Sequence, residues 1–162
     1  MNEKDFERIY RENFDTVYRY ALSLTRDVYA AEELTQETFF KAMQAIDSFR
    51  GDCGVKTWLC GIAKNTFLSE KRRKHPESLE ELPEQADGAD TPEALALDRE
   101  ESRRLHRALH ALPEPYKEVF SLRVFGQLSF REIGELFGKT DNWACVVYHR
   151  AGSKIRETEE RL

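Results

Sequence analysis

The side chains best suited to contact nucleic acid lie near the C-terminus, in a stretch that predicts a helix from Asp141 onward. An apolar inner face there leaves these small, polar or basic side chains outside: Asn142, Cys145, Val146, His149 and Arg150, with Lys154 further along. A polar and basic outer face on a helix is what reading base edges in the DNA major groove requires. The same pattern is also typical of a packed helical hairpin with a solvated face.

The residues before that helix predict the element that would present it. Ser129 and Glu132 have the S-x-x-E spacing of a capping box, in which both side chains bond backbone N–H groups at a helix start. A short helix behind them is expected to stop at Gly138, and a turn of about three residues then leads into the last helix. A short helix, a tight turn and a longer helix together make a helix-turn-helix.

A second group of candidate residues lies on the third predicted helix, which begins near Val55. Opposite its apolar stripe we expect Lys56, Lys64 and Asn65. The helix ends in cations that suit phosphate binding: Lys71, Arg72 and Arg73. A glycine-hinged loop containing Phe49 precedes it, and such a loop could accept an extruded base. A plain amphipathic helix with a solvated cationic end would explain the same residues.

A third candidate surface lies on the second predicted helix, where two phenylalanines are adjacent. Since neighbouring helical residues point in different directions, only one of Phe39 and Phe40 can face the core easily. An outward phenylalanine beside acids and glutamine indicates a docking surface for a partner helix. The alternative is a wide core that buries both rings.

Other classes of chemistry find little support in the sequence. It contains no HExxH, P-loop or GxSxG motif, so we expect neither catalytic residues nor an enzyme. Cys53, Cys60 and Cys145 form no CxxC pair and fit neither a disulfide framework nor a four-ligand zinc site, so no metal or cofactor is expected. The acidic, polar start and the short apolar runs predict a cytoplasmic protein without a leader or membrane insertion.

Apolar residues recur every three or four positions along most of the chain, which predicts an all-α fold of two small helical domains. The domains are expected at residues 1–75 and 93–162. Residues 76–92 hold three of the five prolines and few bulky apolar groups, which predicts a flexible, acidic linker. Most of the negative charge is here, since residues 76–100 contain nine acids and one base, while the flanking segments are close to neutral.

Along the chain the three candidate surfaces come in the order second helix, third helix and last helix. In that order they resemble an extracytoplasmic-function sigma factor of the sigma-70 family. In the first half the matching stretches are Ala30–Phe40, Asp47–Asp52 and Thr57–Asn65. In the second half they are Leu109–Pro113, Leu128–Ile133 and Asn142–Ala151. The ordered set is much more specific than any one motif, and it covers nearly the whole chain apart from the linker.

This resemblance implies a subunit that binds core RNA polymerase and directs it to promoters, commonly under control of an anti-sigma factor. It implies contact with the β′ clamp helices and the β flap of polymerase, the former through Glu33, Gln36, Glu37 and Phe40. The −10 element would be opened and read as a single strand by the third helix and Phe49. The −35 element would be read as duplex by the last helix, with Arg131 nearby, and the linker would pass through the RNA exit region.

Three positions depart from the family pattern. Cys145 stands where many relatives carry arginine, Gly152 where a basic residue is common, and Gly134 where alanine is usual. Because arginine is the commonest reader of bases, recognition here would depend more on Asn142, His149 and Arg150. A competing hypothesis is a helix-turn-helix repressor whose first domain senses a ligand or dimerises, and which binds duplex DNA without polymerase.

Overall fold

The computed structural model describes residues 3–49, 51, 53–74 and 99–161, which belong to two compact units. The first unit contains α1 (Glu3–Thr25), α2 (Val28–Ala45), a 3₁₀ turn (Ile46–Ser48) and α3 (Val55–Lys74). The second contains α4 (Arg99–His110), α5 (Tyr116–Val124), α6 (Phe130–Phe137) and α7 (Asp141–Arg161). Within those ranges there is no strand, so the all-α prediction is confirmed. The predicted linker, residues 76–92, lies outside the described residues.

The junction between α1 and α2 follows from local backbone chemistry. Arg26 adopts φ 58°, a left-handed conformation that ends α1. Asp27 is then extended, and its carboxylate accepts a hydrogen bond of 3.2 Å from the backbone N–H of Ala30. This is the N-cap that the sequence predicts, and it fixes where α2 begins.

The core of the first unit lies among α1, α2 and α3, each of which packs on the other two. Val17, Tyr20 and Leu59 are fully buried there. Aromatic rings close one side, with Phe39 of α2 lying 4.8 Å from the ring of Tyr10 on α1. Burying a side chain of this size stabilises the fold by about 1.5–3 kcal/mol. The shared core therefore stabilises the packing of the three helices against one another.

The second unit is built around α7, which packs on α4, α5 and α6. Its core includes Leu109, Leu122, Ile133 and Ala151, one from each of its four helices. Because α7 is held along one side by three helices, its opposite side is free of core contacts. None of the helices in the described part of the chain is long and apolar enough to cross a membrane.

Candidate nucleic-acid and partner interfaces

The helix-turn-helix predicted from the sequence is present in the second unit. The backbone N–H of Glu132 donates to the Ser129 hydroxyl at 3.1 Å, and the N–H of Ser129 donates to the Glu132 carboxylate at 3.0 Å. At the other end Gly138 is left-handed, with φ 67°, and the N–H of Lys139 donates to the Gly134 carbonyl at 2.8 Å. These caps satisfy backbone groups at both ends of α6 and end it where the turn must start.

The turn between α6 and α7 passes so close to Gly134 of α6 that no larger residue fits there without a shift of the backbone. A Cβ atom at Gly134 would lie 2.7 Å from the carbonyl oxygen of Thr140 and 2.8 Å from that of Lys139. The Thr140 hydroxyl in turn accepts a hydrogen bond of 3.1 Å from the N–H of Trp143 and so caps α7. The angle between the two helices therefore depends on a close approach of backbone to backbone.

The outward face of α7 is the predicted one. Asn142, Val146 and His149 are all exposed and follow each other at spacings of four and three residues, so they form one stripe along the helix. Ala144 and Ala151 are buried on the opposite side. Two further candidates flank the stripe: Cys145, which is half-buried, and Arg150, which is exposed. Five of the predicted contact residues are thus brought together at the start of the helix.

The other two predicted residues of this surface already have partners within the chain. Arg131 lies on α6, exposed to solvent, with its Nε 3.6 Å from the Glu135 carboxylate. The ammonium of Lys154 lies 5.2 Å from the centre of the Tyr116 ring, within the range of a cation–π contact. Both cations remain at the surface, but each would have to share or leave its partner to contact a phosphate.

Sequence reasoning missed a group that braces the start of α6. The Arg123 guanidinium lies 4.3 Å from the centre of the Phe130 ring and donates a hydrogen bond of 3.0 Å to the Leu128 carbonyl. Phe130 in turn contacts the ring of Tyr148 on α7, at 5.6 Å between centres. The three side chains join α5, α6 and α7. No local pattern in the sequence predicts these contacts, because the side chains come from three different helices.

In the first unit, α3 carries a stripe of mixed chemistry. Trp58, Asn65 and Arg72 are seven residues apart in succession, which places them on one side of the helix. The ring of Phe49 stacks on Trp58 with 4.5 Å between centres. Asn65, Arg72 and Arg73 are exposed, whereas Lys56, Lys64 and Lys71 are half-buried. Trp58 is half-buried and also packs against the core of the first unit, so Asn65 and Arg72 are the exposed members of this stripe.

The two neighbouring phenylalanines of α2 point to different sides of the helix, as predicted. Phe39 is 3% exposed, whereas Phe40 is 55% exposed. Glu33 and Gln36 share the exposed side with Phe40. Glu37 is half-buried and lies 3.5 Å from the Lys41 ammonium. The α2 docking surface, which we define as Glu33, Gln36, Glu37 and Phe40, thus presents an aromatic ring among carboxylates.

The cysteines form no site among the described residues. Cys60 is buried within α3, and Cys53 and Cys145 are half-buried thiols. No group of three or more histidine, cysteine or acidic side chains in the described ranges is placed to hold a metal ion.

A helix-turn-helix in the second unit and a cationic stripe on α3 of the first are features typical of DNA-binding proteins. Comparison with known proteins identifies the family. The family model "Sigma-70 region 2" matches residues 9–76, and "Sigma-70, region 4" matches residues 102–142. The chain is similar to RNA polymerase sigma factor YlaC of Bacillus subtilis, with 30% identity over 173 residues covering 100% of both proteins. It also resembles the ECF RNA polymerase sigma factor SigE of Mycolicibacterium smegmatis, with 30% identity over 94% of this chain and 60% of the relative.

A solved structure supports the fold independently. The sigma factor RpoE of Bartonella quintana, in complex with the anti-sigma factor NepR, gives a TM-score of 0.74 at 23% identity and covers 97% of this chain and 98% of that one. The chain belongs to the extracytoplasmic-function group of the sigma-70 family, whose members are RNA polymerase sigma factors. The family resemblance noted from the sequence is confirmed.

Proposed function

We propose that this chain binds core RNA polymerase and directs it to promoters, reading the −10 element as a single strand and the −35 element as duplex. The observation that carries the proposal is the end-to-end match to a sigma factor, in which both family regions occur in order. The domains we assign are residues 1–75 for polymerase and the −10 element, 76–92 for the linker, and 93–162 for the −35 element. In this function the chain recognises DNA and supplies no catalytic group, and it works in the cytoplasm.

Recognition of the −35 element is assigned to the outward stripe of α7 and the residues that flank it. A helix held from behind by three others can enter the major groove without losing core contacts. Asn142 has the donor and acceptor needed to pair with adenine, while Arg150 can bond guanine or a phosphate. His149, Cys145 and Val146 complete the base-facing surface. Arg131 and Lys154 are assigned to the phosphates on either side.

Recognition of the −10 element is assigned to α3 and the loop before it. Unpaired bases stack on aromatic rings, and a cationic track follows their phosphates. Phe49 on Trp58 supplies the rings, Asn65 a base-edge partner, and Arg72 a phosphate contact. The same track includes Lys56, Lys64, Lys71 and Arg73.

Polymerase binding is assigned to the α2 docking surface. Its exposed ring and carboxylates suit a helical partner with a basic rim and an apolar seam, which fits the β′ clamp helices. The second unit would contact the β flap. The Bartonella quintana structure shows a sigma factor in complex with an anti-sigma factor, and we infer that a similar inhibitor covers these polymerase-binding faces here.

The test is run-off transcription with purified bacterial core polymerase and a pool of promoter fragments, with and without this protein. Discrete transcripts that depend on the protein would support the proposal, and their start sites would locate both elements. The Phe40→Glu variant is assayed beside the wild type. It places a charge on the α2 docking surface and should abolish the transcripts, which would show that they depend on this surface. A protein that shifts duplex DNA alone but never changes the products of core polymerase would favour the repressor hypothesis instead.

A further inference from the structure

An apolar side chain occupies the centre of the surface assigned to the −35 element. Val146 is 39% exposed on α7, and it lies between Asn142, one turn before, and His149, one turn after. The buried residues Ala144 and Ala151 lie on the other side of the helix. Val146 therefore lies in the middle of the stripe that a helix docked in the major groove would turn toward the bases.

The chemistry of valine restricts what it can recognise there. Its isopropyl group neither donates nor accepts a hydrogen bond, so it cannot read the polar edges of the base pairs. Among the four bases, the major-groove edge offers one apolar feature, which is the C5 methyl group of thymine. Contact with any polar edge would bury that group without a partner, which costs free energy.

The neighbouring residue fixes where this thymine would lie. Asn142 is four residues before Val146, which separates the two along the helix axis by about 6 Å. Base pairs along one strand are about 3.4 Å apart, so the two side chains reach positions within about two base pairs of each other. Asparagine pairs best with adenine, and a thymine next to or near that adenine would meet the valine.

We propose that Val146 is a specificity-determining residue that reads a thymine methyl group in the −35 element. The proposal rests on the proposed sigma function and adds to it a base identity for this chain. Discrimination here comes from van der Waals contact at the centre of the stripe, with hydrogen bonding provided by the residues around it.

The experiment uses the full chain with core polymerase and a pool of promoter duplexes randomised over the upstream element. After selection, each thymine of that element is replaced in turn by deoxyuridine, which removes only the methyl group. Burial of one such group corresponds to an affinity change of about fourfold, so one replacement should weaken holoenzyme binding by about that factor. In the Val146→Ala variant the same replacement should have almost no effect.

The matched control is Val124→Ala, because Val124 is 40% exposed in the same unit but lies on α5, away from the stripe. That variant should keep the full thymine-to-deoxyuridine difference. The proposal is overturned if selection yields no thymine in the element, if wild-type holoenzyme is indifferent to every replacement, or if Val146→Ala retains the difference. A holoenzyme that selects no upstream element at all contradicts the proposed function itself, which distinguishes the two failures.

Discussion

At the scale of single residues, Phe40 exposes more than half of its side chain on the α2 docking surface. Its neighbour Phe39 fills the core, so replacing Phe40 by alanine should leave the helical content and stability of the chain unchanged. Buried aromatic anchors at the centre of interfaces often cost 2 kcal/mol or more when truncated. We therefore expect Phe40→Ala to weaken binding to core polymerase by at least about tenfold, measured by fluorescence anisotropy of the labelled chain.

The control for this substitution is Glu7→Ala, which shortens an exposed side chain on α1, outside the α2 docking surface. It should leave the dissociation constant for core polymerase within about twofold of the wild type, as surface substitutions away from an interface usually do. Equal affinities for the wild type and Phe40→Ala would show that the α2 docking surface has been assigned wrongly.

Two helical glycines of the second unit should change the stability of the chain in opposite directions when each is replaced by alanine. A methyl group at Gly134 would press on the backbone of Thr140, and overpacking of this kind typically costs about 1–3 kcal/mol. At Gly152 the nearest atom is 3.9 Å away, at the tip of the flexible Arg156 side chain, and alanine there should stabilise the helix by about 0.5–1 kcal/mol. Urea unfolding of the full chain, followed by circular dichroism, should show the midpoint falling for Gly134→Ala and rising for Gly152→Ala.

A rise for Gly134→Ala would mean that the turn relaxes without cost and that the backbone approach is not needed.

At the scale of elements, the capping box of α6 sets where the helix-turn-helix begins. Ser129→Ala removes the hydroxyl that accepts from the Glu132 N–H, and loss of such a cap costs about 1 kcal/mol. We expect a lower unfolding midpoint and weaker binding of holoenzyme to promoter duplex. Ser129→Asp provides an acceptor in the same place and should recover most of both. If Ser129→Asp behaves like Ser129→Ala, the effect arises from something other than the cap.

The helices and their ends could be predicted because their signals are local. Asp27, Ser129 and Gly138 each act within four residues along the chain, so periodicity and capping chemistry were sufficient. The contacts that were missed join residues on different helices, such as Arg123 with Phe130 or Lys154 with Tyr116. Composition carries no signal for such pairs, because their partners are chosen by the packing of helices.

The candidate surfaces also contain features that the sequence predicts and features that it does not. Which side of α2 and α7 faces outward followed from the apolar period, and the structure confirmed it for Phe40 and for Val146. On α3 the period was less informative, since Lys56 and Lys64 proved half-buried while Asn65 is exposed. The helix carries glycine, threonine and cysteine among its inner residues, so its apolar stripe has no sharp edge.

At the scale of the whole molecule, the uneven distribution of charge allows a last prediction. The chain has a formal net charge of −5, and residues 76–92 contain six acids with no base among them: Glu77, Glu80, Glu81, Glu84, Asp87 and Asp90. Both units present cations that we assign to DNA phosphates, so an acidic segment joined to them should repel phosphates when the protein is free. Replacing the six acids by glutamine or asparagine raises the formal net charge from −5 to +1.

We expect this neutral-linker variant to bind random-sequence duplex several-fold more tightly than the wild type at 50 mM salt. Repulsion between exposed charges is screened over about 10 Å at 0.1 M ionic strength, so the difference should vanish above about 0.5 M salt. A variant in which the residues of segment 76–92 are shuffled keeps all six acids and the same net charge, and it should bind random duplex as the wild type does. If neutralisation leaves the affinity for random duplex unchanged at low salt, the acidic segment does not restrain the free protein. Promoter-dependent run-off by the variant holoenzyme would then test whether the negative charge acts within the polymerase complex.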